Sequence, residues 1–303
     1  MRKGQAAAGI IAIAVIVLVL IFVFMYYKPQ TNHGIEYKND IVTVEETVVS
    51  NSNPSPGSTT SISILIKNNG DKPVDVEVNF DNIAGLNFKE LYCESGKQEF
   101  HSCIFEEIDP LDIRNIVLTL EVPEETISNP FVEYYVKYTY SGYRKANIPI
   151  VDNILRTPIG KFSQSEPSIG PVVLEFEFPA QKEIRKDSQV IKEYWVVADN
   201  PFELKVKLRH VGSLNNIEPI KIKKGSLILD LRGNFRVASG LKCDFEEKDG
   251  KLYSKEDIEV PGELKCNLES TLTPEPETLG TIWAEFTYDY QYRRKEGFTI
   301  KED

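Results

Sequence analysis

The sequence predicts an all-β protein, with two tandem β-sandwiches placed after one N-terminal transmembrane helix. Three observations predict it. An uncharged run of 22 residues, Ala6 to Tyr27, stands near the start. Beyond it, apolar residues recur at every second position in short runs, and no segment holds a long helical period. The two halves of the remainder also repeat one another at a shift of 150 residues.

Composition sets the bounds. A chain of 303 residues suggests two domains. With 41% hydrophobic and 27% charged residues, most of it can fold around a core. The net charge of −11 argues against a general nucleic-acid binder, which needs a basic face to neutralise phosphates. Three His and four Cys are too few for a multi-metal or haem protein. No Gly-x-Ser-x-Gly and no phosphate-cradling glycine loop occurs, so neither a catalytic role nor a cofactor is expected.

Residues 1–28 form the first element. At 1.5 Å per residue the Ala6–Tyr27 run makes a helix of about 33 Å, enough for a bilayer core of about 30 Å. Met25-Tyr26-Tyr27-Lys28-Pro29 offers no small-residue cleavage site, and the tyrosines suit the membrane interface. Arg2, Lys3 and the amino terminus precede the run, so the positive-inside rule puts this end in the cytoplasm and the rest outside the cell. Setting aside Arg2, Lys3 and Lys28 leaves 32 basic against 46 acidic residues, a net of −14 for the outer part. Membrane lipid, met through this helix, is the first expected partner.

Residues 29–40 read as a short stalk, 41–151 as the first sandwich domain, 152–170 as a linker rich in Ser, Pro and Gly, and 171–303 as the second domain. In the first, Ser61–Lys67 is dense in Ile and Leu, Asn69-Gly70 signals a hairpin turn, and Val74, Val76, Val78 and Phe80 alternate with polar residues. In the second, Tyr194–Ala198 precedes the turn Asn200-Pro201, and Leu204, Val206 and Leu208 alternate in the same way. Asp249-Gly250 is a further hairpin signal. The repeat is plainest near the two ends. Tyr138, Tyr140, Arg144, Lys145 and Ile150 fall on Tyr288, Tyr290, Arg294, Lys295 and Ile300, and Cys93 falls on Cys243. Val132, Tyr134, Val136, Tyr138 and Tyr140 share one face of a strand, as do Ile282, Ala284, Phe286, Tyr288 and Tyr290; these rows are expected in the core.

Cys93 and Cys103 fall in the first domain, Cys243 and Cys266 in the second. Two per domain on the outside of a cell predict one disulfide in each, worth about 2–4 kcal/mol. Because Cys103 and Cys266 do not align, the bridges are expected to brace different hairpins. Zinc is the rival reading, but Cys93, His101 and Cys103 lack a fourth ligand. Asp244–Gly250 is acidic but has its glycine misplaced for a helical calcium loop. Arg144-Lys145 and Arg293-Arg294-Lys295 read as charges that protect strand edges, or as contacts for an acidic neighbour. Tyr135, Tyr143 and Trp283 lie outside the inward rows and, with Arg293 and Arg294, are the expected interaction surface.

Two resemblances extend these readings. Arg2-Lys3-Gly4-Gln5 before small and apolar residues resembles the class III signal of archaeal type IV pilin-like proteins. That likeness implies cleavage between Gly4 and Gln5 and packing of the retained helix in a filament; Gly9 stands where that family often carries an acid. The Asn68-Asn69-Gly70-Asp71-Lys72-Pro73 turn, with seven short strands per module, is similar to archaeal and bacterial surface modules of the immunoglobulin-like class. It implies two tandem immunoglobulin-like β-sandwiches. The expected role is a single-pass, membrane-anchored extracellular structural or adhesion protein without catalytic activity; the alternative is a pilin-like filament subunit or accessory component. The expected partner is an envelope or cell-surface protein, or the protein itself in a filament, with no nucleic acid.

Overall fold

A computed structural model of the chain describes residues 40–124, 129–153, 155–186, 189–212 and 219–300. The Ala6–Tyr27 run, the Gly4-Gln5 pair and residues 29–39 of the stalk lie outside the described residues. All regular structure among the described residues is β. No helix there is long and apolar enough to cross a membrane.

The first half supplies β1 (Val42–Val49), β2 (Thr59–Asn68), β3 (Val74–Ala84), β4 (Asn87–Cys93), β5 (Lys97–Glu99), β6 (Ser102–Ile108), β7 (Ile113–Glu121) and β8 (Phe131–Val151). A four-stranded sheet runs in the order β1-β2-β7-β4, while β3, β6 and β5 extend from β8 in a second sheet. The period of two explains the layering. Ile62, Ile64 and Ile66 of β2 and Val74, Val76, Val78 and Phe80 of β3 are buried in one cluster, and their alternate neighbours are less buried. Each such aliphatic side chain contributes about 1.5–3 kcal/mol when buried.

The second half repeats the plan. After β9 (Ser163–Gln164) come β10 (Val172–Glu177), the hairpin β11 (Lys182–Lys186) and β12 (Gln189–Glu193), and β13 (Val196–Val197). Then follow β14 (Phe202–His210), β15 (Ile220–Ile222), β16 (Leu227–Asp230), β17 (Phe235–Val237) and β18 (Phe245–Lys248). The last are β19 (Lys251–Ser254), β20 (Ile258–Val260), β21 (Gly262–Ser270) and β22 (Glu277–Gly297). The sheet β10-β14-β21-β17 matches β1-β2-β7-β4 strand for strand.

The halves meet in one sheet. β8 and β22 pair antiparallel from Val151 opposite Glu277 to Phe131 opposite Gly297. The central order is therefore β18-β19-β16-β22-β8-β3-β6-β5, the same from either end once the repeat is applied. Thr139 and Asp289, 150 positions apart, face each other directly and are hydrogen-bonded at 2.6 Å. A local two-fold axis thus passes between them. Tyr138 lies opposite Tyr290, and Tyr140 opposite Tyr288. All four are buried, with even-numbered side chains of both strands on the same inner side. One continuous core cluster spans both halves, and the described residues belong to one compact unit.

Two local expectations change. Asn69-Gly70 does not close a hairpin: β2 and β3 belong to different sheets, so the turn crosses from one layer to the other. Their apolar faces meet across the core, which a direct edge-to-edge pairing would forbid. Within the stretch expected as a linker, Ser163-Gln164 forms β9 on the edge of β8. Asp249-Gly250 does turn a hairpin, between β18 and β19, with φ of 52° and 74°.

Candidate interaction face

Even-numbered residues of β8 and β22 fill the core, so the odd-numbered ones stand on the opposite side of the central sheet. Tyr135, Tyr143, Trp283 and Arg293 share that outer face. Arg294, one position out of phase, projects on the other side, its guanidinium 6.0 Å from the Tyr292 ring.

Two clusters form there, about 27 Å apart along β8. In one, the Tyr143 and Trp283 rings stack with centroids 5.4 Å apart and planes 1° from parallel. Lys72 covers Tyr143 at 5.5 Å and Arg232 covers Trp283 at 5.9 Å, so cations close both ends of the stack. The Trp283 indole N–H donates to Glu285 at 2.9 Å. In the other, Arg293 bonds the largely buried Glu133 carboxylate at 2.9 Å and lies 5.1 Å from the Tyr135 ring centre. A concavity of about 430 Å³ opens beside it, lined by Glu77, Asn79, Asp81, Tyr135, Lys137 and Arg293 among others.

The clusters occupy equivalent positions. Under the 150-residue shift Tyr143 corresponds to Arg293, Trp283 to Glu133 and Glu285 to Tyr135. One end of the face is therefore an aromatic stack and the other an ion pair with one ring. Between them Asp289 accepts from Thr139 and pairs with Lys223 at 3.0 Å; these contacts hold its carboxyl below the usual range. Sequence reasoning missed Glu133, Lys72 and Arg232. The repeat held the signal for Glu133, as the counterpart of Trp283; nothing local marked the other two.

On the buried side, loss of solvation pushes the Tyr138 and Tyr288 hydroxyls well above their ordinary range. His210 Nε2 lies 3.2 Å from the Tyr290 hydroxyl, and burial lowers its pKa while Asp40 opposes that shift.

Both cysteine pairs are disulfides. Cys93–Cys103 ties β4 to β6 and so staples the outer sheet to the central one. Cys243–Cys266 fastens the approach to β18 onto β21. With both sulfurs bridged, Cys93, His101 and Cys103 hold no thiolate for a metal or a nucleophile; His101 rests against Phe88. Among the described residues no group of three or more His, Cys, Asp or Glu is placed to hold a metal ion. A larger concavity, about 780 Å³, lies beside Cys243, lined by residues of both charges such as Lys242, Asp244, Lys255 and Glu263.

No protein-family model and no curated protein matches the chain. Among solved structures, the ASH/PapD-like domain of human CEP192 is 13% identical, covering 31% of this chain and 72% of its own, at a TM-score of 0.18. The full-length major pilin SpaD from Corynebacterium diphtheriae is 9% identical over 79% of this chain and 61% of its own, at 0.23. The Actinomyces fimbrial adhesin FimA is 10% identical over 77% and 81%, at 0.21. Likenesses this slight fix neither fold family nor role.

Proposed function

We propose that this chain is a single-pass membrane protein. Its N-terminus is cytoplasmic, and two immunoglobulin-like β-sandwiches stand outside the cell as a structural or adhesive element without catalytic activity. The observation that carries this is the uncharged Ala6–Tyr27 run behind Arg2 and Lys3. Both cysteine pairs bridged in the body that follows support an oxidising exterior. The outer face of the central sheet is the working surface, offered to an envelope or cell-surface protein. Fractionation with thiol labelling tests it: the chain stays with membranes after alkaline washing, external protease reaches it in intact cells, and no thiol reacts until reductant is added. A cytosolic polypeptide with four reactive thiols ends the proposal.

Arg2-Lys3-Gly4-Gln5 favours a second reading, a pilin-like subunit or accessory component cut between Gly4 and Gln5. Mass spectrometry of the mature N-terminus separates the two. Gln5 as first residue supports pilin-like processing; an intact Met1 supports the plain anchor.

A further inference from the structure

The two-fold pairing of β8 and β22 makes their outer edges equivalent, yet they are treated differently. Along β8 the odd-numbered residues direct their backbone groups away from β22, and residues 163–168 bind there. Ser165 donates its N–H to the Lys145 carbonyl at 2.8 Å, and its hydroxyl accepts the Lys145 N–H at 3.1 Å. The Ser168 hydroxyl accepts the Tyr143 N–H at 2.9 Å. Gln164 takes a bond from Arg144 Nε at 3.3 Å and closes on the Phe176 backbone of β10 through both ends of its amide.

On β22 the corresponding positions are Arg293 for Tyr143, Arg294 for Arg144 and Lys295 for Lys145. The parity is the same: the N–H of Thr287 leaves β8 for the Ser226 carbonyl. The backbone groups of Arg293 and Lys295 therefore point outward, and among the described residues no backbone or side chain meets them. All three side chains are exposed. We propose that this edge of β22 is a docking site for an extended, serine-bearing acidic segment of a partner polypeptide, added as an antiparallel strand.

Two observations choose the occupant. The chain's own segment on the equivalent edge, Ser163-Gln164-Ser165-Glu166-Pro167-Ser168, has that chemistry, with hydroxyls serving as acceptors for strand N–H groups. Arg293 is already paired with Glu133, and the two further cations beside it on this edge, Arg294 and Lys295, favour a negative partner. The basic pair alone does not prevent strand addition, because Arg144-Lys145 carries it on the occupied edge. The site adjoins the outer face, to which the Arg293 side chain belongs, but uses the strand edge and does not depend on the membrane anchor.

Hydrogen exchange with single-residue resolution on the full chain in detergent tests this. The Arg293 and Lys295 amides should exchange at least about tenfold faster than those of Tyr143 and Lys145. An N-acetylated synthetic peptide of residues 162–169, which leaves out Lys161 and keeps Glu166, should slow them by a similar factor at millimolar concentration, and a scrambled peptide should not. Lys295→Pro removes an outward N–H without touching the β8 pairing, so it should fold and lose the peptide effect. Lys295→Gln should keep the effect in weakened form. Protection of both amides before peptide is added, by this chain or by a second copy, overturns the proposal. So does the absence of slowing, or an undiminished peptide effect in Lys295→Pro.

Discussion

Gly142 sits on β8 opposite Phe286, at a point where both strands turn their side chains inward. A Cβ there would run into Phe286 Cζ and lie 2.8 Å from Ser168 Oγ. Gly142→Ala must displace an aromatic ring buried to 1% exposure, which costs about 1–3 kcal/mol as overpacking. It also pushes on the hydroxyl that accepts the Tyr143 N–H; loss of that bond adds about 1 kcal/mol. Together we expect about 2–4 kcal/mol. At a urea slope of about 3 kcal/mol/M that is a midpoint lowered by about 0.7–1.3 M. Both tryptophans, Trp195 and Trp283, lie in the second half, so their fluorescence reads a substitution made in the first. Because the main core and the central sheet span both halves, the shift should appear in full in that signal. Gly297→Ala, where a Cβ meets nothing within 4 Å, is the control and should be neutral or slightly stabilising. Phe286→Leu removes the ring and should make Gly142→Ala cheaper in the double variant than alone. Equal midpoints for the Gly142 and Gly297 variants, or strict additivity with Phe286→Leu, would refute the reasoning.

Other outcomes follow from the same structure. Replacing Cys93 and Cys103 together by serine should cost about 2–3 kcal/mol, read as a lowered midpoint in thermal unfolding; an unchanged midpoint counts against an inter-sheet staple. Burial lowers the His210 pKa, so the folded state binds fewer protons there; its contribution is complete above about pH 6.5 and shrinks as pH falls through the folded value. His210→Gln should flatten stability against pH in that window. The Asp289 carboxyl is depressed, so its contribution is present above the ordinary carboxylate pKa of 3.8 and lost as pH falls through the folded value. Asp289→Asn should remove a slope only below that point. Trp283→Ala breaks the stack with Tyr143 and uncovers Arg232, for about 0.5–1.5 kcal/mol in chemical denaturation.

Much of the fold was legible because alternation is a direct record of which side faces the core. The tyrosine rows of β8 and β22 announced their buried side. The shift of 150 residues already contained the two-fold arrangement, since Thr139 and Asp289 are both equivalent and opposed. The mutual pairing of those strands was not legible: an edge that meets another module and an edge that meets water carry the same residues. Strand β9 escaped notice because Ser163 and Gln164 hold their place through polar groups, which leave no apolar period. Asn69-Gly70 signalled a change of direction correctly, but not whether the next strand would lie beside the last or across the core. Tyr143 and Trp283 stood out as aromatic residues off the inward rows; the cations covering them come from distant turns.

One consequence of the symmetric pairing concerns divergence. In an assembly of two identical subunits, every substitution appears twice and both ends of a shared surface must stay alike. Here the copies are joined in one gene product, and each end is free to change by itself. An aromatic stack stands where the twin position has an ion pair, and a serine-rich strip lines one flank while no described residue lines its counterpart. A repeated scaffold of this kind can present two different surface chemistries at a fixed separation on one plan.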